Sequence, residues 1–240
     1  MALGPERNYM TARQAEAAQI DVGLRTYMLR VYQYMTGGLA LTGLVALSVA
    51  TVPALRGLLV GTPLMWVALF ATLGIAFFMG FRINSMKAST AQTLFWVYAA
   101  LMGVWLAPIA LVYTGASIAK TFFITAGTFA AMSLYGYTTK ADLSKFGSFL
   151  MMGVIGLIIA MVVNIFLASP AIDFVISVVG VLIFTGLAAY DTQKIKEWYS
   201  EMDGGELAVK KAVYGALNLY MDFINLFLFL LRFLGVARSE

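Results

Sequence analysis

The chain has 240 residues, of which 61% are hydrophobic and 12% charged, about half the charged share of a typical soluble domain. Its net charge is +4, and it contains neither cysteine nor histidine. Disulfides, thiolate chemistry and cysteine metal sites are thereby excluded, and so are the commonest metal ligand and the usual physiological-pH switch.

The first 24 residues, MALGPERNYMTARQAEAAQIDVGL, are polar with charges of both signs. No apolar core follows a basic start there, so they read as a cytoplasmic tail, partly helical, and not as a cleavable signal. Residues 25–240 read as one membrane domain. Its seven apolar blocks cover about 31–55, 62–81, 90–115, 121–139, 146–169, 171–191 and 212–237, each near the ~20 residues needed to cross a bilayer as a helix. Continuous apolarity at that length predicts an all-α polytopic bundle, since barrel strands would be about 10 residues long and alternate. In span 4, Ala126 and Ala130 with Gly127 beside the first mark a close-packing face.

Charge sets the orientation. Arg7, Arg13, Arg25 and Arg30, the connections with Arg82 and Lys87 and with Lys140 and Lys145, and Lys194, Lys196, Lys210 and Lys211 fall on one side. The other side holds only Arg56, Lys120, Arg232 and Arg238. By the positive-inside rule the N-terminus is cytoplasmic and the C-terminus, after seven spans, outside. A last segment that dips in and returns is the alternative. Basic residues flanking spans account for the net charge without a nucleic-acid partner; the partner they imply is the lipid bilayer.

Three acids fall within the spans. Asp173 follows Ser169 and Pro170 at the start of span 6, where a capping serine, a first-turn proline and an acid at the positive end of the dipole all favour a helix start. Asp222 lies about 15 Å into span 7 at 1.5 Å per residue, near the middle of a hydrocarbon layer of roughly 30 Å. Tyr214, Asn218, Asp222 and Asn225 are spaced by 4, 4 and 3, which makes one polar stripe on an otherwise apolar helix. Asparagines there serve helix contacts, but an ionisable group at that depth points to function. Asp191 closes span 6 in GLAAYDTQKIKEWY and, taken alone, is equally an interfacial residue.

The two acids gain meaning as a pair. With a turn at Asp203–Gly205, Asp191 precedes Gly204 by 13 residues and Asp222 follows it by 18. If helix 6 continues through TQKIKEWY, their depths differ by little more than a turn. Two carboxylates about 4 Å apart repel by about 4 kcal/mol at an effective dielectric of about 20, enough to place their charge under the control of pH. Doubly ionised, the pair would attract a divalent cation, whose hard charge prefers oxygen. Arg82, at the end of span 2 on the same side as Asp191, is a candidate counter-charge latch or a residue that snorkels to the interface.

AAYDTQKI followed by LYMDFINLFLFLLRFLG resembles the Bax inhibitor-1 (transmembrane Bax inhibitor motif) family in its bacterial branch. The resemblance implies a seven-helix bundle with span 7 central, in a bacterial plasma membrane. It further implies a pH-sensitive calcium leak with Asp191 and Asp222 as the sensor and ion-binding pair, calcium as the transported ion and no cofactor. Some relatives carry the latch arginine directly after the AFFM-like end of span 2, where this chain has Gly80; Arg82 is the nearest arginine. Certain bacterial relatives associate with membrane proteases, so a scaffold or regulator of such a protease, without ion conduction, is the alternative.

An enzyme is a weaker reading. Tyr190–Asp191 fits the YD context of intramembrane aspartyl proteases, but Asp222 stands in LYMD where a GxGD is required, and Pro53–Leu55 places PAL at the end of span 1. A retinal pump needs a lysine within span 7, which has none. No phosphate loop, dinucleotide fingerprint or zinc motif is present, so no catalytic residue is assigned.

Overall fold

The computed structural model describes residues 12–238, with side chains from Val22 onward. Residues 1–11 of the expected tail lie outside the described residues. The helices are α1 (Ala12–Thr51), α2 (Pro53–Leu59), α3 (Pro63–Arg82), α4 (Ala88–Leu106), α5 (Ile109–Val112), α6 (Gly115–Thr138), α7 (Ser144–Leu167), α8 (Pro170–Glu197) and α9 (Gly205–Leu234). Seven are long and apolar enough to span a bilayer, α5 extending the span begun by α4. This is an integral membrane protein.

Local chemistry explains most boundaries. Pro53, Pro63 and Pro170 open α2, α3 and α8, where a missing N–H costs nothing and the fixed φ suits the first turn. Thr114 caps α6 by accepting from Ser117 N at 3.2 Å, and Ser169 caps α8 by accepting from Ile172 N at 3.4 Å. The expected block 90–115 is not one helix: Pro108 stands between α4 and α5, since a proline clashes with the carbonyl four residues back and ends the ladder. Pro53 shortens the first span in the same way. At its other end α1 runs without a break from residue 12, so the expected tail boundary at residue 24 falls inside a helix. The last helix starts seven residues earlier than expected and ends at Leu234.

Span α9 is the most buried and lies at the centre, packed by α8, α1, α6 and α4. Outside these, α3 leans chiefly on α4, and α7 on α8. Their outer faces, with Phe70, Phe77, Phe81, Ile165 and Phe166, are exposed and apolar, which is the surface a helix presents to lipid. Residues 235–238 are extended and cross the end of the bundle. Thr114 N donates to Val236 O at 3.1 Å and Arg238 N to Val112 O at 2.9 Å, around the bridge of Tyr113 with Ala237.

Lipid supplies no hydrophobic drive between helices, so close backbone approach and buried hydrogen bonds have to hold them. Thr42 on α1 donates to Ala99 O of α4 at 2.8 Å and lies 2.6 Å from the Tyr220 hydroxyl of α9, which ties three helices at one point. A Cβ on Gly103 of α4 would stand 2.7 Å from Thr42 O, and one on Gly136 of α6 would overlap the Ala189 carbonyl of α8. Span 4 therefore makes its closest contact at Gly136. On the expected Ala126–Ala130 face, Ala126 is half-buried and packs on the core, while Ala130 is exposed and Gly127 opens on empty space.

Gly136→Ala forces a methyl against a backbone carbonyl. Overpacking of that kind costs on the order of 1–3 kcal/mol, so thermal unfolding in detergent should fall by on the order of 5 °C, while Gly127→Ala leaves it unchanged. Equal melting of the two variants would remove the close approach.

Candidate functional site

Between Ala212 and Leu231 every residue of α9 is buried except Tyr214, Asn218, Met221, Asn225 and Leu228. Their spacing of 4, 3, 4 and 3 makes one seam along the helix. Three members of the expected polar stripe lie on it. Asp222 does not: it sits about 40° round the helix from Asn218 at 3.6 residues per turn, with 4% of its surface exposed.

Asp222 is turned into the protein, and Asp191 meets it there. Helix α8 continues to Glu197, as the pairing of the two acids requires, and α9 returns after Gly204. The turn is fixed by Lys211, whose Nζ donates to Asp203 Oδ2 at 2.6 Å and to Trp198 O at 2.8 Å. The Asp191 and Asp222 carboxyl groups face each other across the α8–α9 interface. Asp191 is half-buried. The second oxygen of Asp222, Oδ2, has no hydrogen-bond partner among the described residues. A hydrogen bond between two carboxyl groups needs a proton on one of them, so the geometry couples the charge of each acid to that of the other.

The supporting residues divide. Asn225 Nδ2 donates to Met221 O of its own helix at 2.9 Å, so its amide serves the backbone and not Asp222. Asn218 is half-buried on the seam. Tyr214 stacks on Trp198 with centroids 5.7 Å apart. Arg82 is exposed at the end of α3 and makes no ion pair among the described residues, so the structure does not bring it to Asp191. Asp173 has the helix-start setting expected of it and, half-buried, meets Arg232 at 3.3 Å.

Sequence reading missed what surrounds Asp191. In Asp191-Thr192-Gln193, successive side chains fan out at about 100° per residue to three different elements. Asp191 reaches α9. Thr192 reaches Ser133 of α6 at 2.8 Å, and Ser133 in turn lies 2.6 Å from the Tyr32 hydroxyl of α1. Gln193 accepts from Leu143 N at 2.9 Å and donates to Ala141 O at 2.8 Å, pinning the α6–α7 connection. The signal was present, three polar residues in a row at a helix turn, but the partners of Thr192 and Gln193 on other elements lie 50 residues or more away in the chain.

Two cavities lie on the α9 seam. One, of about 310 Å³ at the basic end, is lined by Tyr214, Gly80, Asn84, Trp198, Lys210 and Lys211. The other, of about 300 Å³ at the opposite end, reaches from Arg232 down to Asn225. Neither is lined by Asp191 or Asp222. No group of three or more Asp, Glu, His or Cys residues able to hold a metal occurs among the described residues. Two carboxylates offer at most four oxygens, against the six to eight that calcium takes. The arrangement suits an ion in passage better than a resident one.

The sequence profile described as "Inhibitor of apoptosis-promoting Bax1" matches residues 24–239. An uncharacterised protein of Rickettsia prowazekii is 52% identical over 221 residues, covering 91% of this chain and 93% of that protein. A Caulobacter vibrioides protein is 49% identical, over 97% of this chain and 98% of its own length. The inner membrane protein YbhL of Escherichia coli K12 is 45% identical, over 94% and 98%.

Asp222→Asn keeps the side-chain shape, removes a buried ionisable group and supplies an amide donor to Asp191. Its melting temperature should rise by about 2–4 °C for each kcal/mol gained. A fall of that size would show that Asp222 is held by something other than Asp191.

Proposed function

We propose, for a chain that belongs to the Bax inhibitor-1 family, a pH-sensitive leak of calcium across the membrane, controlled by the Asp191–Asp222 pair. The observation that carries the reading is the burial of Asp222 at mid-membrane depth against a second carboxyl group. A structural role would be served by an asparagine pair at lower cost, because a charge at that depth is expensive to hold. The doubly ionised pair matches a divalent cation in charge and hardness. Protonation removes that match.

The cavities on the α9 seam support the same reading. They stop at Tyr214 on one side and Asn225 on the other. The stretch between them, where Asn218 and Met221 are half-buried, is 11 residues long, about 16 Å at 1.5 Å per residue. Asp222 sits three residues, or about 4.5 Å, from the Asn225 end. An ion entering from that end meets Asn225 and then the acid pair, and opening requires the stretch from Asp222 to Tyr214 to part. The basic end is assigned to the cytoplasm by the positive-inside rule, and the membrane to the bacterial inner membrane, as in the name of the Escherichia coli relative. Arg82 is the counter-charge that would latch Asp191 in a second arrangement of α3. The reading needs no catalytic step and no cofactor.

The test is calcium flux into proteoliposomes across roughly pH 6 to 8. Ordinary Asp, Glu and Lys side chains titrate outside that range, and in a chain without histidine or cysteine the α-amino terminus is the one ordinary group that titrates within it. Wild-type flux should change several-fold across it, and Asp222→Asn and Asp191→Asn should each flatten the profile. Arg82→Gln should shift the profile without flattening it. No flux in wild type or variants, with the fold intact, would replace the leak by the scaffold or protease-regulator reading.

A further inference from the structure

Helices α1 and α6 both pack on α9 but leave a groove between themselves, a cavity of about 510 Å³. Its walls are apolar, with Leu29 and Met35 from α1 and Ala130 and Leu134 from α6. The Tyr32–Ser133 contact at 2.6 Å crosses it. Arg25 lines it at the basic end. From Arg25 to Thr36, its farthest lining residue on α1 in sequence, is 11 residues, or about 16 Å along the helix. That is close to half of a hydrocarbon layer of roughly 30 Å, the depth of one leaflet.

A second cation, which does not itself line the groove, contacts a lining residue at the same end. Lys196 is half-buried, its Nζ donating to Tyr137 O at 2.8 Å and lying 5.2 Å over the Tyr137 ring, and Tyr137 lines the groove. The groove thus joins two positive groups at headgroup level to an apolar channel one leaflet deep. Its volume falls within the ~300–1,000 Å³ usual for small-ligand sites.

We infer that the α1–α6 groove is a binding site for a phospholipid with an anionic headgroup, one acyl chain lying along Leu29, Met35, Ala130 and Leu134 and the phosphate facing Arg25 and Lys196. Charge complementarity selects the headgroup, and the length from Arg25 to Thr36 selects a chain of the leaflet on the basic side. The site is distinct from the acid pair. Its wall nevertheless belongs to the Tyr32–Ser133–Thr192 chain, which ends one residue from Asp191. Occupancy therefore bears on the turn of α8 that positions the acid.

The experiment is native mass spectrometry of the full chain released from detergent, with phosphatidylglycerol or phosphatidylcholine added at equal concentration. Wild type should carry several-fold more phosphatidylglycerol than phosphatidylcholine, and Arg25→Gln should abolish that preference. Ala130→Phe, which fills the groove from an exposed position, should lose most adducts of both lipids, while Ala131→Phe, exposed on α6 but outside the groove, keeps them. Leu134→Trp repeats the block should Ala130→Phe fold poorly. Equal retention of the two lipids by wild type, or undiminished adducts in both groove-filling variants, would overturn the site. So would a dimer mass in place of lipid adducts, which would give the groove to a second copy of the chain. None of these readouts depends on ion conduction.

Discussion

A carboxyl group halfway across a membrane has to find its partners in protein, and the packing of this bundle centres on that requirement. Lipid offers no hydrogen bond, so an acid at the depth of Asp222 is tolerable only on a helix enclosed by others. Helix α9 is that helix. Four neighbours surround it, and Asp222 is turned away from its one incompletely covered seam toward α8. The single described carboxyl group facing it belongs to Asp191, and the two share one interface.

The position of Asp191 is fixed more tightly than one contact could manage. Because Thr192 bonds to α6 and Gln193 to the α6–α7 connection, rotation of α8 that freed the acid would break both sets of bonds together. The Gly136 approach to Ala189 adds a steric stop just before them. Two residues before Asp222 on α9, Tyr220 meets Thr42, which ties α1 and α4 to the same helix. The result is a rigid core around the acids and a looser periphery. Helix α3 is attached chiefly through α4 and α7 through α8, and both present aromatic and aliphatic faces to lipid.

Much of this was legible in the sequence. All seven spans were, because a bilayer of fixed thickness imposes a length and a composition that can be counted locally. The depth of Asp222 followed from the same count, and the seam shared by Tyr214, Asn218 and Asn225, though not Asp222, from the period of the helix. The approach of Asp191 to Asp222 followed from the distances to a glycine turn, once α8 was allowed to run on. The breaks at Pro53 and Pro108 carry a local signal too, but uninterrupted apolarity masked it.

What the sequence by itself determined was therefore the membrane class, the number and order of membrane spans and the depth of each acid, since these rest on properties of single segments. The tertiary structure alone decided which way each side chain turns: Asp222 off the seam and into α8, Asn225 onto its own backbone, Arg82 without an ion pair among the described residues, and Gly136 rather than Ala130 against a neighbour. Helix rotation is set by contacts between residues tens to hundreds of positions apart. A period of 3.6 residues names a stripe but not the neighbour it faces.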